Sequence, residues 1–189
     1  GLLDGRVRLD PTRLPMRMTA AITQEDVNAY KLDALLVHFA KVSGRLSGKF
    51  NVNNDPHFTI RGGLYLTKGY LNDYEFFKWL AERFRLPSLR KVDFHRLSTN
   101  FTVNMQEVVL ENILLDSPHV HIKGFFNVNK DSFVSSNLAL AFSKTLLHES
   151  PKFRPILKIF DQDTPFLIFD FQLSGKLHAI NFQWLPSPH

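Results

Sequence analysis

Apolar residues recur at every second position in several successive segments of this chain. The alternation is found around residues 58–66, 101–103, 120–122, 138–142 and 167–173. A period of two is typical of a β-strand with one buried face, because successive side chains of a strand point to opposite sides of the sheet. The pattern therefore predicts a sheet with one apolar face.

Residues that favour turns separate the alternating segments. They are Asn53-Asn54-Asp55-Pro56, Asn104-Met105-Gln106, Asp116-Ser117-Pro118 and Asn129-Lys130-Asp131. From Lys91 to Phe142 the connections are short, and short connections join antiparallel neighbours. We therefore predict a meander of antiparallel hairpins, and a parallel doubly wound fold is disfavoured.

A first helix is predicted from Gln24 to Lys41. Thr23 can cap its N-terminus, and Glu25 and Asp26 suit the positive end of the helix dipole. Its apolar stripe at helical spacing consists of Leu32, Leu35, Leu36 and Phe39. Such a stripe is typical of a helix that packs on a sheet.

A second helix is predicted from Asp73 to Arg85. Asn72 and Glu75 form a variant of the capping box, and Pro87 prevents the helix from continuing. Its aromatic stripe consists of Phe76, Phe77, Leu80 and Phe84. Together the elements predict an α+β fold, predominantly β, in which a curved antiparallel meander sheet carries two amphipathic helices packed on one face or end.

The composition indicates a large apolar area within one domain spanning residues 1–189. Of 189 residues, 44% are hydrophobic, and 18 Phe stand against two Trp and four Tyr. Phe has a large apolar surface without a polar group, so this area is either buried in a core or presented to a ligand. Composition alone leaves both alternatives open.

Charge and cysteine content limit the classes of partner. The net charge of +5 is spread along the chain, which indicates a mildly basic, solvated surface. The aromatic residues alternate with Thr, Asn, Asp and Ser more than with Lys or Arg, so no nucleic-acid partner is expected. The absence of Cys excludes disulfides, thiol nucleophiles and cysteine-ligated metals.

Motifs for catalysis are absent from the sequence, and no enzymatic activity is expected. No nucleophile elbow, phosphate loop or dinucleotide fingerprint is present. His119 and His121 would share one face of a strand, but their polar parity favours a solvent-facing pair over a metal site. Asp161 and Asp163 precede a strand, where Asp is an ordinary turn residue. We expect no catalytic residue, no metal and no cofactor.

Six segments follow one another in a distinctive order. They are Val42-Ser43-Gly44-Arg45-Leu46-Ser47-Gly48, Gly63-Leu64-Tyr65-Leu66-Thr67-Lys68-Gly69-Tyr70-Leu71, Val92-Asp93-Phe94-His95-Arg96-Leu97-Ser98-Thr99-Asn100-Phe101-Thr102-Val103, Val109-Leu110-Glu111-Asn112-Ile113-Leu114-Leu115-Asp116-Ser117-Pro118, Gly124-Phe125-Phe126-Asn127-Val128-Asn129 and Phe171-Gln172-Leu173-Ser174-Gly175-Lys176-Leu177. This succession, from about residue 42 to 180, resembles the C-terminal region of AsmA-like proteins. The chain departs from that pattern at Asn104-Met105-Gln106-Glu107, where the family usually has an Asp-Gly turn.

The resemblance implies a setting that the residues alone do not. AsmA-like proteins are typically anchored in the bacterial inner membrane by an N-terminal helix, with most of the protein in the periplasm. They are similar to bridge-like lipid transfer proteins and are associated with phospholipid movement toward the outer membrane. The chain begins at Gly1 without an initiator Met or an apolar run of about 18–20 residues. We therefore expect an excised piece of a longer protein, whose membrane contact lies in segments outside this chain.

An apolar groove on the sheet is the expected functional site. The predicted lining residues are Phe58, Ile60, Leu64, Leu66, Phe101, Val103, Ile122 and Phe126. The expected partner is a phospholipid or another acyl-chain lipid, with Lys and Arg at the rim near its phosphate, and envelope proteins are further expected partners. The alternative is a closed structural or protein-interaction module of the periplasm with no ligand, in which the two helices cover the same face completely.

Overall fold

Ten β-strands account for most of the chain in a computed structural model, which describes residues 3–10, 17–28, 41–53, 57–72, 74–159 and 164–185, with side chains from residue 44 onward. The strands are β1 (Leu3–Asp10), β2 (Arg17–Asn28), β3 (Lys41–Asn53), β4 (Thr59–Asn72), β5 (Lys91–Asn104), β6 (Glu107–Asp116), β7 (Val120–Asn129), β8 (Phe133–Ser143), β9 (Phe166–Lys176) and β10 (Ala179–Leu185).

All ten strands form one sheet, in which each strand pairs with its neighbours in sequence. Every pairing from β1–β2 to β9–β10 is antiparallel. The sheet is open, with β1 and β10 at its two edges. The predicted fold class is confirmed, and the meander extends over the whole described sheet.

The connections owe their geometry to the turn residues of the sequence. Asn104 Oδ1 accepts hydrogen bonds from the backbone N–H groups of Gln106 (2.7 Å) and Glu107 (3.0 Å). Asn129 Oδ1 accepts in the same way from Asp131 (3.0 Å) and Phe133 (2.8 Å). An Asn side chain that bonds the following backbone favours a tight turn, so the β5–β6 and β7–β8 hairpins are locally encoded.

The helix α1 (Glu75–Phe84) confirms the second predicted helix. It ends where Arg85 adopts a left-handed conformation (φ 57°), and a 3-10 helix at Pro87–Arg90 leads into β5. The predicted capping box is wrong, because the residue at the N-cap is Tyr74, and its side chain makes no capping hydrogen bond. Packing of the aromatic stripe on the sheet stabilises this helix without a polar cap.

The first predicted helix is wrong over its first five residues and at its last residue, Lys41, which begins β3. Gln24–Asn28 belong to β2, where Gln24 pairs with Leu46 and Val27 with Gly44 of β3. The register shifts between Gln24 and Val27, so the acidic residues that suggested a helix start lie at an irregularity of the strand. Strand pairing overrides the local capping signal here, and residues 29–40 lie outside the described residues.

Two short helices connect β8 to β9. These are α2 (Lys144–Leu147) and α3 (Arg154–Ile159), separated by a 3-10 helix at Pro151–Phe153. Ser143 caps α2, because its Oγ accepts a hydrogen bond from the backbone N–H of Leu146 (3.2 Å). Leu146, Leu147 and Phe153 are buried in the main core, so this connection closes one end of that core.

Aromatic contacts join α1 to the last two strands. The ring centroid of Phe76 lies 5.7 Å from that of Phe171 on β9 and 5.3 Å from that of Phe182 on β10. Phe84 contacts Trp184 on β10, with centroids 6.2 Å apart. Because α1 follows β4 in the sequence but packs on β9 and β10, the sheet must curve to bring these strands together.

The parity of the buried residues changes along β4 and β5. On β4, Leu66 packs against the core at an even position, whereas Leu71 is buried at an odd one. On β5, Leu97 is partly buried at an odd position, whereas Phe94 is buried at an even one. Lys68 lies between the two parts of β4 with φ 52°. A left-handed residue in a strand disturbs its alternation of sides, so the ends of β4 and β5 beside α1 contribute a different set of residues to the core.

Candidate functional site

The two faces of the sheet differ in chemistry from β3 to β7. Residues paired directly across an antiparallel ladder lie on the same face. By register, Phe50, Gly62 and Phe101 share one face, whereas Lys49, Gly63 and Asn100 share the other. We call the first the apolar face and the second the polar face.

Three rows of paired residues cross the apolar face. The first row is Val52, Ile60, Val103, Val108, Val128 and Val134. The second is Phe50, Gly62, Phe101, Leu110 and Phe126. The third is Leu46, Leu66, Leu97, Leu115, Ile122, Leu140 and Phe169. The apolar face is therefore continuous over at least five strands.

The part of the apolar face on β7 to β9 is covered by described elements, and Leu46 of β3 is also buried, although it lies outside the core cluster. On β7 to β9 it lies beneath α1 and the β8–β9 connection, and its residues belong to the buried core cluster. On β3 to β6 a set of apolar side chains lies outside that cluster, and none of them is fully buried. We call this set the open apolar face: Phe50, Val52, Ile60, Leu64, Phe101, Val103 and Val108.

Most of the predicted groove residues lie together. Ile60 and Leu64 of β4 and Phe101 and Val103 of β5 are neighbours on the open apolar face, with Ile60 directly opposite Val103. Leu66 lies on the same face, where the open part meets the core. Phe58 precedes β4 and is 43% exposed.

Two predicted groove residues occupy the closed part of the same face. Ile122 and Phe126 of β7 are each only 6% exposed and belong to the buried core cluster. They lie on the same face as the other groove residues, because Phe126 pairs with Leu110 and Ile122 with Leu115, which belong to the rows of Phe101 and Leu66. Access to these two side chains is prevented by the cover and not by the direction in which they point.

The sequence reasoning missed part of the open apolar face. Phe50 and Val52 of β3 and Val108 of β6 lie in its rows but were not among the predicted residues. A signal was present, since Phe50 and Val52 alternate with Lys49, Asn51 and Asn53 in the period-two pattern.

Lys49 of β3 and Arg61 of β4 lie away from the open apolar face. Both side chains are exposed. Lys49 precedes Phe50, and Arg61 precedes Gly62, which is the register partner of Phe50 on the apolar face. They therefore project from the polar face.

His119 and His121, which the sequence would place on one face of a strand, have separate partners. His119 Nδ1 lies 3.1 Å from Ser143 Oγ, whereas His121 Nδ1 lies 3.2 Å from Asp116 Oδ1. His119 precedes β7, so the two imidazoles are not presented by one strand. Over the described ranges no three metal-ligating side chains come together. Asp161 and Asp163 lie outside the described residues.

No helix among the described residues is long and apolar enough to cross a membrane. Comparison of the chain with models of protein families, with curated proteins and with solved structures found no significant match.

Proposed function

We propose that this chain is a non-enzymatic domain of an AsmA-like envelope protein that binds or conducts phospholipid acyl chains along its open apolar face. The single observation that carries this proposal is the open apolar face itself. Seven adjoining apolar residues on β3 to β6 remain partly exposed, although a buried core lies beside them. The lipid class and the AsmA-like setting rest on the resemblance of the segments between residues 42 and 180.

The physical argument concerns the cost of leaving this surface in water. Exposed apolar surface costs roughly 25 cal/mol for each Å² that could be buried. An acyl chain has no polar group to satisfy, so it can cover rows of Val, Ile, Leu and Phe without leaving a hydrogen bond unmade. A bound lipid would therefore stabilise the open apolar face and keep its own head group in water at the end of the strands.

In this proposal the domain lies in the periplasm between the inner and the outer membrane. Membrane contact is made through segments outside this chain, and other envelope proteins are additional partners. The proposed activity is passive solubilisation of the acyl chains, in which no bond is formed or broken and no catalytic group is required.

A second candidate is a closed structural or protein-interaction module with no ligand. The observation that favours it is the burial of Ile122 and Phe126, which shows that cover by this chain's own elements already occupies part of the apolar face. The two candidates differ in one measurable property, which is whether lipid remains with the protein during purification.

The test is mass spectrometry of organic extracts from the chain, purified from bacterial cells without detergent. We expect phospholipid in about stoichiometric amount, and none with an unrelated control protein handled identically. A matched pair of variants locates the site. Phe101→Asp introduces a charge on the open apolar face and should remove the lipid, whereas Thr102→Asp introduces the same charge on the polar face and should retain it.

A lipid-free extract from the unmodified chain would favour the closed module. Equal loss of lipid from Phe101→Asp and Thr102→Asp would show that the charge acts through general destabilisation, and the open apolar face would no longer be the proposed site. Circular dichroism of both variants establishes that each is folded before the comparison is made.

A further inference from the structure

The polar face carries a depression where β6 departs from regular pairing. Asn112 adopts a left-handed conformation (φ 52°) and has no register partner on β5 or β7. Both registers shift at this point, between Ser98 and Asn100 on β5 and between Leu110 and Ile113 on β6. A bulge of this kind redirects side chains and is frequent next to binding sites.

The depression has a volume of about 500 Å³, within the range of small-molecule sites. Its polar lining includes Tyr65, Arg96, Ser98, Asn100, Asn112 and Lys123. Among the residues that the structure describes, two cationic side chains and no carboxylate line it. The charge of the lining favours an anion.

The register places the two cationic residues, Arg96 on β5 and Lys123 on β7, on either side of Leu114 on β6. Ser98, Leu114 and Lys123 form one row across β5, β6 and β7, and Arg96 is two residues from Ser98 on the same side of β5. Neighbouring strands are about 4.8 Å apart, so Lys123 and Ser98 are separated by about 10 Å at the backbone. Both long side chains can reach toward Leu114 between them.

Arg96 is held by an aromatic contact and not by an ion pair. Its guanidinium carbon lies 5.7 Å from the centroid of the Tyr65 ring. In the described part of the chain, no carboxylate lies within 4.0 Å of the charged groups of Arg96 or Lys123. Each cation is therefore available to an external anion, and Tyr65 limits the positions of the guanidinium.

Three carboxylates lie near the depression without lining it, and one of them, Asp170, lines an adjoining depression together with Lys123. Asp116 is the register partner of Arg96, but its Oδ1 lies 3.2 Å from His121 Nδ1. Glu111 is the register partner of Asn100 and is exposed. These carboxylates oppose the binding of an anion, which makes the removal of Asp116 a sensitive test.

The geometry points to a binding site for a phosphate group on the polar face, formed by Arg96 and Lys123 with hydrogen-bond donors from Ser98, Asn100 and Asn112. A phosphate accepts several charge-assisted hydrogen bonds at once, which suits a site with two cations and neutral amide and hydroxyl donors. The phosphate is carried either by a small soluble molecule or by a lipid head group. This site is independent of the proposed acyl-chain site, because it lies on the opposite face of the sheet.

The soluble arm of the test is an NMR titration of the ¹⁵N-labelled chain with glycerol 3-phosphate at low ionic strength. We expect saturable shift changes confined to residues near Arg96, Asn112 and Lys123. Lys123→Gln and Arg96→Gln should each weaken binding about tenfold, as expected for the loss of one charge-assisted hydrogen bond. Asp116→Asn should strengthen binding.

The control variant is Lys176→Gln, which removes an exposed cation from β9 outside the depression. It should leave the affinity unchanged. If Lys176→Gln weakens binding as much as Lys123→Gln, the protein attracts phosphate only through its net charge, and the proposed site is rejected.

The membrane arm is flotation of the chain with vesicles of phosphatidylcholine, with and without phosphatidic acid. Binding that requires both phosphatidic acid and Lys123 identifies a lipid head group as the source of the phosphate, whereas binding of glycerol 3-phosphate alone identifies a soluble ligand. Absence of binding in both arms overturns the inference. Neither result depends on whether acyl chains are found in the organic extract, so this inference and the proposed function can fail separately.

Discussion

Phe101 of β5 lies directly opposite Gly62 of β4, and its ring occupies the space that a side chain at Gly62 would need. A Cβ added to Gly62 would lie 2.8 Å from Phe101 Cζ and 2.3 Å from the backbone oxygen of Lys49. The glycine therefore leaves room for the ring of Phe101, and its register partner on the other side, in β3, is Phe50. An aromatic ring over a glycine compensates for the side chain that the strand lacks.

The first prediction concerns this close approach. Gly62→Ala should lower the free energy of unfolding by about 1–3 kcal/mol, because the added methyl group meets backbone that cannot move freely. Gly63→Ala is the matched control: its Cβ would meet Asn100 Oδ1 at 3.3 Å, and that side chain can give way. Its effect should stay within about 0.5 kcal/mol. Urea denaturation of both variants gives the comparison, and equal losses would contradict the role assigned to Phe101.

The second prediction separates the open from the closed part of the apolar face. Phe101→Asp should leave the chain folded, because the half-buried site lets the carboxylate reach water. Phe171→Asp should unfold it, since Phe171 is 0% exposed and an unpaired buried charge costs several kcal/mol. Thermal unfolding followed by circular dichroism measures both. Loss of folded structure in Phe101→Asp would show that the face is closed at this position.

The third prediction concerns the cap of α2. Ser143→Ala removes the Oγ that accepts from the backbone N–H of Leu146 and that lies beside His119 Nδ1. The free energy of unfolding should fall by about 1 kcal/mol, the usual loss for an N-cap serine. Ser135→Ala, at an exposed position of the same strand, should change it by less than about 0.5 kcal/mol. Chemical denaturation that shows no difference between the two variants would argue against the cap.

The fourth prediction is a dependence of stability on alkaline pH. Burial raises the pKa of Tyr74 from 10.0 to about 12. The unfolded chain therefore releases this proton at a lower pH than the folded chain does, so the stability contributed by Tyr74 is present below pH 10 and is lost as the pH rises toward 12.

Tyr74→Phe removes this titration. Between pH 10 and pH 12 its free energy of unfolding should fall less steeply than that of the unmodified chain. Tyr65→Phe serves as the control, because Tyr65 is 44% exposed on the polar face. The measurement is urea denaturation at several alkaline pH values, and parallel curves for the unmodified chain and Tyr74→Phe would contradict the assignment.

Local patterns determined five of the strands, two of the turns and one helix. The period-two alternation identified which residues of β4, β5 and β7 share a face, because side chains of a strand point to alternate sides whatever packs on them. Asn104 and Asn129 marked two hairpins, since an Asn side chain forms its turn with the next few residues. The aromatic stripe of α1 could also be predicted from the sequence, because its period follows from helix geometry.

The tertiary structure decided which part of the apolar face is covered. Phe101 and Phe126 lie on the same face and in one row, yet Phe126 is buried and Phe101 is only partly buried. Phe126 belongs to the same core cluster as Phe76 of α1 and Phe171 of β9, and α1 reaches that cluster by packing on strands far along the chain from its own position. The start of the first predicted helix was wrong for the same physical reason. Gln24 pairs with Leu46 of β3, and a contact between residues this far apart in the chain cannot be predicted from the local pattern of residues.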